Sequence, residues 1–415
     1  MNLDFALSLD ASDPLAHFRD RFEIPDPGLI YLDGNSLGRM PKAVRPLMDE
    51  MLTKWSDRLI RGWNEGWWLD LQTRIGDKIA RLVGAEAGEV IIADSTSINL
   101  YKLAAAALEM RPGRTKIVTD DLNFPSDVYI LESVCRVAGA ELVIVPSDGL
   151  AGPLDGLESA LDDRTALLSL SHTVFKSGWT YSLAEVTALA HRAGALALWD
   201  LSHSAGAVPV GLAAAGADMA VGCTYKYLNG GPGAPAFLYV RKDLKDAVRN
   251  PIAGWIGQDR PFEFELDYRP AAGLRRMLTG TPTILSIAAI EPGVDLLLEA
   301  GLDALRAKSL AQTDFLIDLW EQELAPRGYD LKSPRDHAVR GSHISLSHPE
   351  AWGIDQALIE ELGVIPDFRA PDNLRLGIAP IYTSYEEIYG AVEGMARIVD
   401  EKMYEPYKRA SVEVT

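Results

Sequence analysis

Residues 199–233 read WDLSHSAGAVPVGLAAAGADMAVGCTYKYLNGGPG, and the two strand ends in this stretch decide the fold. The apolar run Ala195 to Trp199 has the length of a buried strand, and it delivers a carboxylate, Asp200, and an imidazole, His203, at its carboxyl end. A second apolar run, Met219 to Cys223, delivers Thr224, Tyr225 and Lys226. Open α/β sheets build their sites at the carboxyl ends of strands, so both loaded ends belong to one sheet edge.

A lysine at one strand end and an aspartate 26 residues earlier at another suit pyridoxal 5′-phosphate (PLP). The lysine supplies the amine for a Schiff base, and the aspartate supplies the anion that keeps the pyridine nitrogen protonated. Taken singly, Asp200 reads as a cap or turn and Lys226 as a solvated charge. Taken together, with glycines after Lys226 that let backbone approach a ligand, they point to the cofactor.

Working outward toward the amino terminus, strands are expected at Thr165 to Ser171, Glu141 to Pro146, Lys116 to Thr119 and Glu89 to Ala93. Helices are expected near Leu157 and from Ser126 to Gly139, and this alternation argues for βαβ units and a largely parallel sheet. The connections carry chemistry. SHTVFKSG (171–178) offers Ser171 and His172, and NFPSDVY (123–129) offers Phe124 as a flat face and Asp127 as a second acid. DSTSINLYKL (94–103) puts Thr96 and Ser97 at a helix start, where free N–H groups and hydroxyls suit either a phosphate or an ordinary cap.

Nearer the amino terminus, a helix is expected from Asp13 to Ile24, a strand from Leu29 to Leu32 and an amphipathic helix from Lys42 to Leu59. Between the last two, DGNSLGRMP (33–41) is too rich in turn residues for regular structure, and its small polar groups, Asn35 and Ser36 among them, suit a substrate wall. Trp63, Trp67 and Trp68 read as packing or as an aromatic substrate pocket. From Asn250 to about residue 283 periodicity fades into a long irregular excursion of the functional or interfacial kind. Helices resume from Ile284 to Leu297 and from Leu302 to Glu323. The remainder reads as a small α+β domain, with a strand at His343 to Ser347 and a helix from Tyr385 to Glu401. There Arg369 and Arg375 stand out. Arg375 lies between Leu374 and Leu376, and a part-buried guanidinium wants a carboxylate, such as that of an amino-acid substrate.

The 415 residues exceed one ordinary core, so a large domain with a smaller satellite is expected. The net charge of −19 disfavours nucleic acid and anionic membranes as partners, and no apolar run approaches a membrane span. Two cysteines, Cys135 and Cys223, make no disulfide framework; with no basic and apolar leader at the start, a cytoplasmic location is expected. The seven histidines show no metal-ligand spacing, so no metal is expected.

YLDGNSLG (31–38), RGWNEGWW (61–68), NFPSDVY, DLSHSAGAVPV (200–210), CTYKYLNGGPGAPAFLYV (223–240) and LRLGIAPIY (374–382) together resemble kynureninase, a family of PLP enzymes of fold type I in the class V aminotransferase group. The resemblance runs from about Tyr31 to Tyr382, in order, with Thr224 where many members have Ser. It implies an α/β fold: a large PLP-binding domain over about 41–285 with a mostly parallel seven-stranded sheet between helices, and a small C-terminal α+β domain over 286–415. Residues 1–40 would contribute to the site and to the small domain. The implied activity is hydrolysis of L-kynurenine to anthranilate and L-alanine; another class V reaction, cysteine desulfuration or transamination, is the alternative.

Residue by residue, the resemblance implies that Lys226 bonds the cofactor and shuttles a proton, Asp200 pairs with the ring nitrogen and Phe124 stacks on the ring. Thr96, Ser97 and Tyr225 would hold the phosphate, with Tyr225 also a proton donor, and Asp127, Ser171 and His203 would make further cofactor contacts. Arg375 would clamp the substrate carboxylate, with Asn35, Ser36 and Trp63 lining the substrate side. Trp255 and Thr281 match positions contributed across a homodimer interface. Trp63 and Thr281 stand where the animal members preferring 3-hydroxykynurenine carry His and Asn, which implies a preference here for unsubstituted kynurenine.

Overall fold

The computed structural model describes residues 1–408 with the exception of Gly66. The strands, in chain order, are β1 (Ile30–Tyr31), β2 (Val90–Ile92), β3 (Lys116–Asp120), β4 (Glu141–Val145), β5 (Thr165–Ser171), β6 (Leu196–Asp200), β7 (Met219–Gly222) and β8 (Phe237–Val240). They continue with β9 (Asp330–Leu331), β10 (His343–Ser347), β11 (Val364–Ile365), β12 (Asp367–Arg369) and β13 (Asn373–Gly377). Seven of them form the main sheet in the order β2-β8-β7-β6-β5-β3-β4. All run the same way except β8, which is antiparallel to both its neighbours. The seven-stranded, mostly parallel sheet expected from the resemblance is therefore present.

The central strands are buried on both faces, which is why they read as unbroken apolar runs rather than as alternating ones. Their residues divide with period two. Leu168, Leu170, Ala197, Trp199, Ala220 and Phe237 point into one core, shared with the helices Trp67–Val83, Leu183–Arg192 and Ile284–Ala300. Leu167, Leu196, Leu198, Met219, Val221 and Leu238 point into the other, shared with the helices Thr96–Met110 and Pro125–Ala138. Each fully buried leucine or isoleucine contributes about 1.5–3 kcal/mol, so a polar substitution at any of these positions is costly.

A third core lies in the C-terminal region. There the antiparallel sheet β12-β13-β10-β9 packs against the helices Leu302–Leu319, Ala351–Leu362 and Tyr385–Asp400. The amino-terminal segment joins this core through Ala6 and Leu32, and β1 adds to β11 in parallel register.

Two stretches differ from expectation. In place of a helix over 13–24, the chain forms an α-helix at Leu3–Ser12 and a 3-10 turn at Ala16–Arg21. The Asn2 side chain caps the first helix by accepting from the Phe5 amide. Asp13 ends it, because its carboxylate accepts from the Leu15 amide and pairs with Lys308 at 2.6 Å. The helix expected from Leu302 to Glu323 gives way after Leu319 to a wide π-type turn at Trp320–Leu324. The excursion after Asn250 is irregular as expected, with only the 3-10 turns Trp255–Gly257, Pro261–Glu263 and Gly273–Met277 among its described residues.

Candidate active site

β6 and β7 pair in parallel with Asp200 opposite Val221, so the two loops that carry Asp200 and Lys226 leave the sheet side by side. Asp200 is held by its own turn: the Ser202 amide donates to Oδ1 at 2.9 Å and the Ser202 hydroxyl donates to the same oxygen at 2.6 Å. That hydroxyl also accepts from the Cys223 amide at 3.1 Å, which ties the Asp200 turn to the Lys226 loop. Asp127, in the first turn of the helix Pro125–Ala138, lies against Asp200. Burial pushes both carboxyls above the usual range, and the Asp200 charge pushes Asp127 further, so the pair holds a proton on the Asp127 side. Lys226 is the cation that acts on both.

Lys226 Nζ lies 2.9 Å from His203 Nε2 and 5.9 Å from the centre of the Phe124 ring. Burial and the Lys226 charge drive the His203 imidazole well below its ordinary range, so it is neutral and accepts from the lysine. His203 Nδ1 is buried without a partner among the described residues.

Two helix amino termini meet at one end of the site. Ser97, in the first turn of Thr96–Met110, and Ser126, in the first turn of Pro125–Ala138, have hydroxyls 3.1 Å apart. Free amides and hydroxyls from two helices make this end suited to a phosphate. The turn before the first helix is fixed from outside. Asp94 adopts φ 40, pairs with the fully buried Lys102, and accepts from Thr279 Oγ1 at 3.1 Å.

The opposite end is built from the small sheet and the DGNSLG loop. The Gly38 amide donates to the Tyr225 carbonyl at 2.8 Å, and a Cβ at Gly38 would strike the Lys226 carbonyl and Asn229, so only glycine allows this approach. The β12–β13 register sets Asp367 opposite Arg375, and both are 1 % exposed. They form an ion pair, and Arg375 also donates to the Phe175 carbonyl at 2.5 Å and to the Ser36 hydroxyl at 3.2 Å.

A cavity of about 220 Å³ joins these ends. Thr96, Ser97, Phe124, Asp127, Ser171, Asp200, His203, Tyr225, Lys226, Ser36 and Arg375, all singled out from sequence, line it. Ser126, Phe175, Ser202 and Arg369 line it too. Arg369 already stands out in the sequence; for the others the signals are local, Ser202 two residues after an aspartate and Ser126 at a helix start, and none marks Phe175. Four of the expected residues lie elsewhere in the single chain. Asn35 is fully buried under Gly377, with no partner for its amide among the described residues. Trp63 meets Trp68 edge-on against the first core. Trp255 is 38 % exposed beside Phe262. Thr281 lines a separate cavity of about 290 Å³ with Asp94 and Ser95, just outside the phosphate end.

A model of the kynureninase C-terminal domain matches residues 305–395. A kynureninase of Pseudomonas fluorescens is 46 % identical over 405 residues, which is 96 % of this chain and 95 % of the relative. One from Burkholderia pseudomallei (strain 1106a) is 43 % identical over 404 residues, 96 % of each chain. Among solved structures, the apo cysteine desulfurase of Thermococcus onnurineus NA1 superposes with a TM-score of 0.79 at 19 % identity, over 93 % of this chain and 98 % of that one. A C-DES mutant with glycine covalently linked to its PLP cofactor gives 0.78 at 19 % identity, over 91 % and 98 %. At such identities these two likenesses speak for the fold alone.

Proposed function

The chain belongs to the kynureninase family, and from that premise we propose that it is a PLP-dependent hydrolase that converts L-kynurenine and water to anthranilate and L-alanine. The observation that supports this most directly is the facing of Lys226 and Asp200 across one cavity that runs from a pair of helix amino termini to a buried arginine. These residues fit PLP. The buried acid pair Asp127–Asp200 wants a cation, which a pyridinium N–H provides, and the hydroxyl-lined helix ends want an anion, which a phosphate provides. Ser171, Phe124 and His203 complete the walls.

Cleaving the bond between Cβ and the carbonyl carbon of kynurenine leaves an electron pair on Cβ, and PLP, when bound, supplies the electron sink that makes this possible. Asp200 would hold the proton on the ring nitrogen of the bound cofactor, and Ser202 holds Asp200 in place. Lys226 takes and returns the substrate Cα proton, with the neutral His203 beside it as acceptor. Cys223 and burial raise Tyr225 above its ordinary range, so its hydroxyl keeps its proton near neutral pH and is a donor at the phosphate end. Arg375, steadied by Asp367 and Ser36, receives the substrate carboxylate. Overall, one water adds to the carbonyl, anthranilate leaves with that carbon, and Cβ takes a proton to become the alanine methyl.

The class V alternatives fit less well. The two cysteines, Cys135 and Cys223, are buried and do not line the cavity, so a desulfurase lacks its sulfur acceptor here. The working form is a homodimer with shared sites. Support for it comes from the excursion, which leaves Phe262, beside Trp255, and also Phe264 and Leu266 exposed and holds Thr281 just beyond the phosphate end. Unsubstituted kynurenine is the preferred substrate in this reading, because Trp63 and Thr281 stand where the animal members that prefer 3-hydroxykynurenine carry His and Asn. The enzyme works in the cytoplasm; no helix among the described residues is long and apolar enough to cross a membrane.

The test is to add L-kynurenine to PLP-loaded protein and follow anthranilate fluorescence and alanine. Equal amounts of both, lost in Lys226→Ala, are expected. A yellow, PLP-bound protein that leaves kynurenine intact would move the activity to another class V reaction.

A further inference from the structure

Arg375 is poorly placed to bind a carboxylate by itself. Its Nη2 faces Asp367 and Ser36, its Nη1 donates to the Phe175 carbonyl, and Nε has no partner among the described residues. A second guanidinium stands beside it. Arg369, two residues after Asp367 on β12, has Nη1 2.5 Å from the other Asp367 oxygen, so one carboxylate holds two arginines. Arg369 is the freer of the two: its side chain is 25 % exposed, it lines the cavity, and its Nη2 reaches only Ser36 Oγ, at 3.5 Å.

Two adjacent guanidiniums repel each other unless anions offset them. Asp367 supplies one charge, and Asp33, largely buried with Oδ1 unpartnered among the described residues, feels both arginines. A substrate carboxylate, with its several lone pairs, can accept from two guanidiniums at once.

We propose that Arg369 is a second contact for the α-carboxylate of the substrate, acting beside Arg375, with Asp367 holding the two arginines in register. The inference rests on the proposed reading only in taking the substrate to be an α-amino acid. It makes the site select a full negative charge at that position rather than an uncharged amide.

The experiment compares L-alanine with L-alaninamide as ligands of PLP-loaded protein, each titrated against the cofactor absorbance, in wild type, Arg369→Gln and Arg369→Lys. Losing a charge-assisted contact weakens L-alanine by roughly tenfold to a hundredfold in Arg369→Gln, while L-alaninamide changes by less than about threefold, and Arg369→Lys falls between. Equal weakening of both ligands, or L-alanine binding unchanged in Arg369→Gln, would overturn the proposal. Arg369→Lys keeps a charge opposite Asp367, so it gives the answer if the glutamine variant is unstable. Kynurenine turnover by wild type is read on the same preparation. Its absence would remove the hydrolase reading, while the alanine and alaninamide constants would still decide the role of Arg369.

Discussion

Replacing Ser202 by Ala removes one oxygen that serves two strand ends. The hydroxyl gives Asp200 its 2.6 Å hydrogen bond and receives the Cys223 amide at 3.1 Å. A hydrogen bond to a charged group is worth about 1.5–3 kcal/mol, so without the Ser202 hydroxyl the Asp200 carboxyl should rise further above its already raised position. The anion is then less available to hold a pyridinium proton, and PLP affinity should fall by about tenfold to a hundredfold. Titrating PLP into apo-protein and following the quenching of tryptophan fluorescence measures this directly. Ser202→Thr, which keeps a hydroxyl, should recover most of the loss. If Ser202→Ala binds PLP within about twofold of wild type, less than the weakest loss this argument allows, then the hydroxyl does not tune Asp200 and the reasoning fails.

If Trp255 and Thr281 serve the partner's site, a Lys226→Ala chain and a Trp255→Ala/Thr281→Ala chain, each inactive as homodimers, regain activity when mixed and refolded together, because one site of the mixed dimer is then intact; no recovery would refute shared sites. Asp355 is fully buried with Oδ1 unpartnered among the described residues, and burial lifts its carboxyl to about 7 from the ordinary 3.8. The folded protein therefore binds the proton more tightly than the unfolded chain, and the stability this group contributes is present below pH 3.8 and lost as pH rises through 7. Asp355→Asn should accordingly be more stable at pH 8 by roughly 4 kcal/mol, about 5 °C in melting temperature, with the advantage fading toward pH 4; a gap that does not change with pH would contradict this. Gly38→Ala forces its Cβ against the Lys226 carbonyl and should cost at least about 3 kcal/mol of stability, measured by urea unfolding, with weaker kynurenine binding alongside.

The sequence by itself determined the sheet and most of the site. Strands buried on both faces must be nearly all apolar, so β5, β6 and β7 announce themselves, and the residues at their ends are necessarily at the carboxyl edge, where Ser171, Asp200 and Lys226 are found. What lay beyond reach was set by contacts between residues far apart in the chain. The helix Leu3–Ser12 owes its place to a core built with Leu316, Ile388 and Val392, and no local pattern encodes such a partner. The pairing of Asp367 with Arg375 depends on the β12–β13 register, and the fixing of Asp94 depends on Lys102 and on Thr279, 185 residues away. Trp63 shows the same division from the other side: its type suits an aromatic pocket, yet packing against Trp68 decides where it points. Periodicity and strand-end chemistry are local properties written in consecutive residues, whereas register, close approach and burial are fixed only when distant segments meet.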